Sequence, residues 1–232
     1  MIRISFPVEK MVKGVFLVRL NRFLAKVSVG FKEALAHVPN SGRMLELLVP
    51  GAKVWLIEKK AAGRKTSYEL AMVNYENSLV AIDSRLSNAI VRRALEMKYL
   101  HRLSGYGEIK PEYTYGASRF DFFLPGKPPC LIEVKSVTLV ERGRARFPDA
   151  PTERGRKHLL ELIAARENEF RCIIIFVVQR RDAQHFSPND ATDPEFGRAL
   201  RLALKSGVEA YAYKCAVDPK GMTLLGEIPV VV

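Results

Sequence analysis

Three charged residues, Asp121, Glu133 and Lys135, have the types and spacing that suit chemistry on a phosphate ester. Glu133 and Lys135 stand two positions apart in a predicted strand, so their side chains point to the same face. Asp121 lies in the preceding predicted strand, and a proline-rich turn joins the two. If these strands pair, two carboxylates and one amine meet at one edge of a sheet. We therefore predict Asp121, Glu133 and Lys135 as catalytic residues.

The predicted chemistry is metal-assisted hydrolysis of a phosphodiester. Two carboxylates hold Mg²⁺ or Mn²⁺ through oxygen atoms and leave coordination positions for water and phosphate. The metal polarises the scissile phosphate and acidifies an attacking water. The lysine would orient that water or neutralise developing charge. The alternative is structural: a buried Glu133–Lys135 pair that braces the strands.

The order Asp121, then Glu133-Val134-Lys135, resembles the signature of the PD-(D/E)xK nuclease superfamily. Both motifs fall on adjacent predicted strands between two predicted helices, as that fold requires. The resemblance implies a further acid on the preceding helix, and Glu96 is the candidate for this third metal ligand. A solvated charge on a helix face is the alternative interpretation of Glu96.

A predicted helix begins after Thr152, which is a favourable N-cap, and its first turns are basic. A basic helix N-terminus favours a phosphate oxygen, so we predict that Arg154, Lys157 and His158 contact nucleic acid. An ordinary histidine on a helix face is an equal alternative for His158. Gly155 in a first turn costs up to about 1 kcal/mol relative to alanine, which predicts a close approach by a ligand or a neighbouring strand.

The net charge of +12 and the pI of about 9.7 point to a polyanionic partner, most simply nucleic acid. Residues 1–82 hold 13 lysines and arginines against 6 acids, so the excess is concentrated in the first third of the chain. General solubility or a biased genome composition is the alternative, although neither requires such an uneven distribution. We expect these first-domain residues to contact the phosphate backbone: Arg19, Arg22, Lys26, Asn40 and Arg43.

Turn signals and apolar patterns divide the chain into two domains, 1–82 and 83–232. The first contains five or six short apolar segments separated by turn residues, which predicts a small closed barrel of the oligonucleotide-binding (OB) type. The second begins with an apolar stripe of helical period over 83–103. Strand–helix–strand order around the apolar strand 171–179 then predicts an α/β domain with a mixed sheet. Residues 140–151, rich in Arg and Pro, are predicted as a loop.

The three cysteines, an odd number without a C-x-x-C motif, each lie in or beside an apolar run. This pattern favours buried thiols over disulfides or a zinc site. The longest strictly apolar run, 172–178, is far shorter than the roughly 20 residues of a membrane span, and no signal-peptide segment is apparent. We therefore expect a cytoplasmic protein without a membrane partner.

Several motifs, in order along nearly the whole chain, resemble the sugar fermentation stimulation protein family. They are Pro39-Asn40-Ser41-Gly42-Arg43-Met44, Ile132 to Leu139, Phe147-Pro148-Asp149-Ala150, Thr152 to Leu159, Phe186-Ser187-Pro188-Asn189 and Gly207 to Lys214. The resemblance implies an OB-like N-terminal domain joined to a nuclease-like C-terminal domain. It also implies DNA binding without marked sequence preference, and a link to regulation of sugar (maltose) catabolism.

Three functions stay open at this point. The first is a DNA-binding protein without strong sequence specificity, a regulator whose nuclease-like site is inactive. The second is a Mg²⁺-dependent nuclease that acts on a DNA or RNA structure, which the intact Asp121, Glu133 and Lys135 favour. The third is an RNA-binding or RNA-processing protein, less favoured than a DNA partner. No helix-turn-helix signature supports a sequence-reading repressor. The oligomeric state stays open, with a homodimer among the alternatives.

Overall fold

The computed structural model describes residues 1–59, 65–76 and 78–232. Within these residues the first part of the chain forms seven strands: β1 (Arg3–Ser5), β2 (Met11–Asn21), β3 (Leu24–Val29), β4 (Lys32–His37), β5 (Lys53–Glu58), β6 (Tyr68–Tyr75) and β7 (Ser78–Ala81). The rest of the chain forms α1 (Arg85–Glu96), β8 (Lys110–Tyr115), β9 (Ser118–Leu124), β10 (Cys130–Val137), β11 (Leu139–Glu141), β12 (Arg144–Phe147), α2 (Glu153–Glu167), β13 (Arg171–Val178), β14 (His185–Pro188), α3 (Pro194–Lys205), β15 (Glu209–Asp218) and β16 (Gly221–Ile228).

The strands β2 to β6 close into a barrel. They follow the order β4-β3-β2-β5-β6, and a parallel pairing of β4 with β6, Ala36 opposite Tyr68, joins the two ends. The strands alternate in burial, so that Phe16, Val27 and Leu56 fill the interior and their neighbours face outward. This confirms the predicted OB-type barrel, in which closure removes most exposed strand edges.

The first strand departs from the predicted domain division. β1 pairs with β16 in antiparallel register, with Ile4 opposite Met222, and it therefore extends the sheet of the second domain. An ion pair between Arg3 and Asp218, with 2.7 Å between Nη2 and Oδ1, fixes the same contact. Residues 1–5 thus lie apart from the barrel that follows them in sequence.

The second domain is built on a seven-stranded mixed sheet in the order β1-β16-β15-β13-β10-β9-β8. The central strands β10, β13 and β15 are parallel, and α3 makes the predicted crossover between β13 and β15. Alternate residues of β13 enter two different cores: Ile173 and Ile175 pack with α1, and Ile174 and Phe176 pack with α2 and α3. Burial on both faces explains why this strand is continuously apolar.

The segment predicted as a loop, 140–151, contains two strands. β11 and β12 form a hairpin, and β12 also pairs in parallel with β14 to make a three-stranded sheet. The connecting residues Arg142 (φ 50) and Gly143 (φ 81) both have positive φ, as a tight two-residue hairpin turn requires. β8 and β16 were also absent from the sequence-based prediction. The helix predicted over 83–103 ends at Glu96, and a separate short 3-10 helix follows at His101–Leu103.

The described helices include none that is long and apolar enough to cross a membrane. All three cysteines are free and buried. Burial raises the pKa of the Cys130, Cys172 and Cys215 thiols to about 12.

Candidate metal site and nucleic-acid cleft

A cleft of about 680 Å³ runs between the barrel and the second domain. The barrel contributes the β2–β3 turn and the segment 40–42, and the second domain contributes the start of α1, strands β9 and β10, and the start of α2. Asp149 bridges the two sides, because its Oδ2 accepts a hydrogen bond of 3.0 Å from the Met44 backbone N–H. The two walls of the cleft are therefore joined by a direct hydrogen bond.

Asp121, Glu133 and Lys135 all line this cleft. In the antiparallel register of β9 and β10, Phe122 lies opposite Ile132, and this is the last regular pair before the carboxylates. Asp121 Oδ2 then accepts a hydrogen bond of 2.7 Å from the Val134 backbone N–H. The two strands thus bring the acids together as their spacing predicts, although the catalytic roles stay predictions.

Asn88 of α1 completes the surroundings of Asp121. Its Nδ2 donates to Asp121 Oδ1 over 2.5 Å, so each oxygen of this carboxylate accepts one hydrogen bond from the protein. Burial, together with the nearby charge of Glu133, raises the pKa of Asp121 to about 6. The Val134 N–H, Lys135 and Asn88 oppose that rise without cancelling it.

Glu133 is more deeply buried and is held in place through one oxygen. Its Oε1 accepts from Lys135 Nζ and from His158 Nδ1, each at 2.5 Å, while its side chain is 4% exposed. Burial alone would raise its pKa, but the charges and hydrogen bonds of Lys135 and His158 outweigh that effect and lower it. Glu133 is therefore ionised at neutral pH, whereas Asp121, with a pKa of about 6, titrates just below neutral pH.

The second oxygen of Glu133 is left without a partner. Oε2 is buried and accepts no hydrogen bond from the protein. A buried carboxylate oxygen without a donor is costly unless something else binds it. Together with the Asp121 carboxylate it offers the hard oxygen ligands that Mg²⁺ and Mn²⁺ prefer, so the residues present fit such an ion.

The described residues include no group of three or more acids, histidines or cysteines arranged to hold a metal. The chain thus supplies two carboxylates at this place. Mg²⁺ characteristically keeps several waters and takes one or two carboxylates plus substrate phosphate, so two ligands are sufficient for that mode of binding.

Glu96 does not take part in this site, and the prediction of a third metal ligand there is corrected. It does not line the cleft, and its carboxylate pairs with Arg92 at 2.9 Å and with Arg93 at 3.9 Å. Glu96 lies eight residues after Asn88, which places it about 12 Å further along the helix axis. The helix therefore presents an amide to the cleft, where an acid was expected.

The residues predicted to bind nucleic acid fall into two groups. Arg22, Asn40 and Arg154 line the cleft. The other five lie outside its lining: Arg19, Lys26, Arg43, Lys157 and His158. Lys26 pairs with Glu33 at 3.0 Å on the outer surface of the barrel, and Lys157 donates to the Ala117 carbonyl over 2.8 Å.

Two of the residues predicted to contact nucleic acid, Arg19 and Asn40, form hydrogen bonds within the protein. Arg19 donates to the carbonyls of Arg43, Arg22 and Asn40, and it thereby braces the barrel side of the cleft. The Asn40 side chain accepts from the Gly42 N–H and donates to the Ile82 carbonyl, each at 2.8 Å. Both residues shape the cleft wall through these bonds.

His158 lies behind the cleft wall. It is buried, its ring lies 5.7 Å from that of Phe120, and its Nδ1 contacts Glu133. The structure therefore makes it a positioning residue for Glu133 where phosphate contact was predicted. Gly155 is explained by packing, since a Cβ there would lie 2.8 Å from the Thr152 side chain that caps the helix.

Several cleft residues were missed by sequence reasoning. Arg85 and Arg146 line the cleft as cations, and Asn88 contacts Asp121. A signal for Asn88 was present: the buried face of α1 includes Val91 and Leu95, and Asn88 continues that stripe one turn earlier. A polar residue on the buried stripe of a helix is a candidate for a functional contact.

Comparisons with known proteins identify the family. Residues 17–82 match the model of the SfsA N-terminal OB domain, and residues 85–221 match that of the sugar fermentation stimulation protein RE domain. A sugar fermentation stimulation protein homolog from Thermoanaerobacter sp. (strain X514) is 47% identical over 222 residues, covering 95% of this chain and 96% of the relative. A homolog from Desulforamulus reducens is 45% identical over 228 residues, covering 98% and 95%.

A solved structure agrees with these matches over the full length. The structure of Pyrococcus furiosus SfsA in complex with Ca²⁺ has a TM-score of 0.91 to this chain, with 30% sequence identity and coverage of 100% of both chains. The barrel and the mixed-sheet domain described above therefore occur together in an experimental structure. This chain belongs to the sugar fermentation stimulation protein family.

Proposed function

We propose that this protein binds DNA in the cleft and hydrolyses a phosphodiester bond there with the help of Mg²⁺ or Mn²⁺. The observation that carries the proposal is the buried Glu133 Oε2, which has no hydrogen-bond partner beside the Asp121 carboxylate in a cleft bordered by arginines. The Ca²⁺ in the Pyrococcus furiosus relative supports a divalent cation as a ligand of this family.

In this proposal the residues of the cleft have different roles. Asp121 and Glu133 would hold the cation, and Asn88, Val134 and His158 fix the orientation of their oxygens. When bound, the cation supplies electrostatic stabilisation of the phosphate and a lower pKa for an attacking water. Lys135, whose side chain is 12% exposed, holds its amine at the cleft surface, where negative charge develops on the phosphate.

Cations on both walls are suited to the DNA backbone. Arg22 on the barrel side and Arg154 on the second-domain side are exposed, and the ion pairs of the described residues include neither. Contacts of this kind recognise phosphate groups and do not distinguish one base from another, so we infer binding without strong sequence preference. We place this activity in the cytoplasm, where buried thiols stay reduced.

A second candidate function is binding without cleavage, as for a regulator of sugar catabolism. The observation that favours it is the Glu133–Lys135 ion pair, because the lysine already neutralises one of the two carboxylates. In that case the cleft would hold DNA through its arginines, and the acids would serve only to brace β9 and β10. RNA is the less favoured partner for either function.

A cleavage assay separates these functions. Purified full-length protein is incubated with single-stranded, duplex and branched DNA and with RNA, each with Mg²⁺, Mn²⁺ or EDTA. We expect metal-dependent products from DNA, and a loss of about 100- to 1,000-fold in rate for Glu133→Gln, the order seen when one electrostatic group of a catalytic site is removed. Glu96→Gln removes an acid of the same type from outside the cleft and should leave the rate unchanged.

Binding is measured in parallel on the same substrates. Retention of DNA affinity by Glu133→Gln, together with loss of cleavage, would assign the acids to catalysis. If the wild-type protein binds DNA and yields no products with any metal, the non-cleaving function replaces the nuclease. Cleavage by Glu133→Gln at the wild-type rate would place the active site elsewhere.

A further inference from the structure

A second concavity of about 610 Å³ lies on the outer wall of the barrel. Strands β2 and β5 form its floor, and the β3–β4 turn lies at its rim. It brings two lysines, Lys13 and Lys53, beside two aromatic rings, Trp55 and Phe31. It shares no lining residue with the cleft that holds Asp121 and Glu133.

The pairing of β2 with β5 explains why these side chains meet. Lys13 lies opposite Trp55, and Val15 lies opposite Lys53. Because side chains alternate along a strand, these four positions share the outer face, while the intervening Val54 is buried in the barrel core. The result is an outward-facing tile in which cations alternate with apolar groups.

The charged side chains that line this tile, Lys13 and Lys53, are both basic. The lining contains no acidic residue, and neither Lys13 nor Lys53 takes part in an ion pair with any described residue. Lys13 Nζ instead lies 4.9 Å from the centroid of the Trp55 ring. Unpaired cations beside an apolar surface are complementary to a ligand that combines negative charge with flat rings.

The β3–β4 turn presents a further ring to the same concavity. Phe31 is fully exposed and has a φ of 65°, a conformation that residues other than glycine adopt infrequently. Neither the Phe31 ring nor the Trp55 ring stacks on another aromatic side chain among the described residues. The edge of the concavity therefore holds an aromatic side chain that the fold itself leaves uncovered.

We propose that this tile binds single-stranded nucleic acid, with bases stacked on Trp55 and Phe31 and phosphates at Lys13 and Lys53. Bases would stack on the exposed Phe31 ring and on the part of Trp55 that its packing against the core leaves open, and phosphates would pair with Lys13 and Lys53. Stacking of a base on an aromatic ring is stronger than a cation–π contact at an exposed site, so a base displaces Lys13 from the Trp55 ring toward a phosphate.

This tile differs from the surface by which OB barrels usually bind nucleic acid. That surface corresponds here mainly to β3 and β4, whereas the tile is centred on β2 and β5 and takes only Ser28 and the β3–β4 turn from that side of the barrel. The proposal is independent of hydrolysis in the cleft. It gives the protein a second contact with a strand, at the opposite end of β2 from Arg22 and about 30 Å away along that strand.

Trp55 makes the test specific, because it is the only tryptophan in the chain. A ten-nucleotide oligothymidylate is titrated into the full-length protein in EDTA, and Trp55 fluorescence is followed. We expect quenching that saturates. Phe31→Ala should weaken the affinity by about 5- to 150-fold, the range for loss of one stacked base, and it leaves the fold intact because the ring is exposed.

The lysines are tested by salt dependence. Lys13→Gln and Lys53→Gln should each reduce the slope of log affinity against log salt by about 0.7, the value for one phosphate of a single strand. Lys205→Gln makes the same charge change on α3, in the other domain, and should leave both slope and affinity unchanged. Glu133→Gln should quench like the wild type, which keeps this test separate from that of hydrolysis.

Three results would overturn the proposal. In the first, the oligonucleotide binds without changing Trp55 fluorescence, and Arg22→Ala weakens its affinity while Phe31→Ala does not. That result would place the strand in the cleft. Thymidine monophosphate could quench Trp55 at the same concentrations as the oligonucleotide, which would indicate a nucleotide pocket. If the protein does not bind single strands at all, the tile is not a site for single-stranded nucleic acid.

Discussion

Two ion pairs of this protein contain the same residue types in opposite surroundings. In the cleft, Glu133 and Lys135 have side chains 4% and 12% exposed, and His158 adds a second contact to the same oxygen. On the barrel, Lys26 and Glu33 pair with side chains 38% and 64% exposed. Glu133 and Lys135 both lie in β10, and Lys26 and Glu33 lie on the paired strands β3 and β4, so residue type and membership of a β-sheet do not separate the two pairs.

The difference lies in what burial does to a charge. Water screens the barrel pair and can replace either partner, so that pair holds neither side chain firmly. In the cleft the surrounding protein excludes water, and each charge depends on the partners that the fold supplies. The buried Glu133 therefore has a fixed position and a lowered pKa, which are the properties of a chemical site, while the exposed pair has the properties of a binding surface.

The largest effect that distinguishes the two regions concerns stability. Lys135→Met leaves Glu133 buried and without its cation, and we expect a loss of about 3–5 kcal/mol in the free energy of unfolding. Lys26→Met makes the same change in the exposed pair and should cost less than about 1 kcal/mol. Urea denaturation of both variants at neutral pH measures the difference.

A double variant controls for the loss of the lysine stem. Glu133→Gln combined with Lys135→Met removes the buried charge together with its partner, and it should be more stable than Lys135→Met alone. Equal destabilisation by Lys135→Met and Lys26→Met would show that the cleft pair is as well solvated as the barrel pair.

A second effect, of about 2.5 kcal/mol, concerns pH. The pKa of Asp121 is raised to about 6 from an ordinary value of 3.8, so the folded protein favours the protonated acid. Its contribution to stability is fully present below pH 3.8 and is lost as the pH rises through 6. Asp121→Asn does not ionise, so its free energy of unfolding relative to that of the wild type should rise by about 2.5 kcal/mol between pH 4 and pH 7.5, in the absence of metal.

The exposed wall of the cleft provides the control for this pH effect. Arg22→Ala alters a side chain that is exposed, and its difference from the wild type should be constant over the same range. Stability curves measured in EDTA at several pH values supply the comparison. Parallel curves for Asp121→Asn and the wild type would contradict the raised pKa.

The sequence predicted the cleft acids well because their placement depends on local rules. Alternation puts Glu133 and Lys135 on one face, and a short turn forces β9 to pair with β10, so Asp121 must lie nearby. The apolar strand β13 was predicted for a similar reason, since burial on both faces leaves a continuous signal in the sequence.

The remaining features depend on contacts between distant segments. Which turn of α1 meets β10 decides that Asn88, and not Glu96, faces Asp121, and no property of the helix itself fixes that choice. The pairing of β1 with β16 joins the two ends of the chain. Whether a surface arginine faces the cleft or the solvent depends in the same way on how the two domains pack.

The smallest effect tests which exposed cations bind the DNA backbone. Arg22→Ala and Arg154→Ala change residues that line the cleft, and each should reduce the slope of log affinity against log salt by about 0.9 on duplex DNA. Lys26→Ala and Arg43→Ala remove the same charge from outside the cleft and should leave the slope unchanged. Fluorescence anisotropy in EDTA at four salt concentrations measures all four variants.

The pattern of these four slopes decides between two kinds of binding. If the excess positive charge attracts DNA only as a diffuse field, all four variants lose the same small amount of affinity and the cleft has no special part. If the cleft is the binding site, only the two arginines that line it release counterions from a phosphate. A reduced slope in Lys26→Ala, with none in Arg154→Ala, would move the duplex onto the outer face of the barrel and away from Asp121 and Glu133.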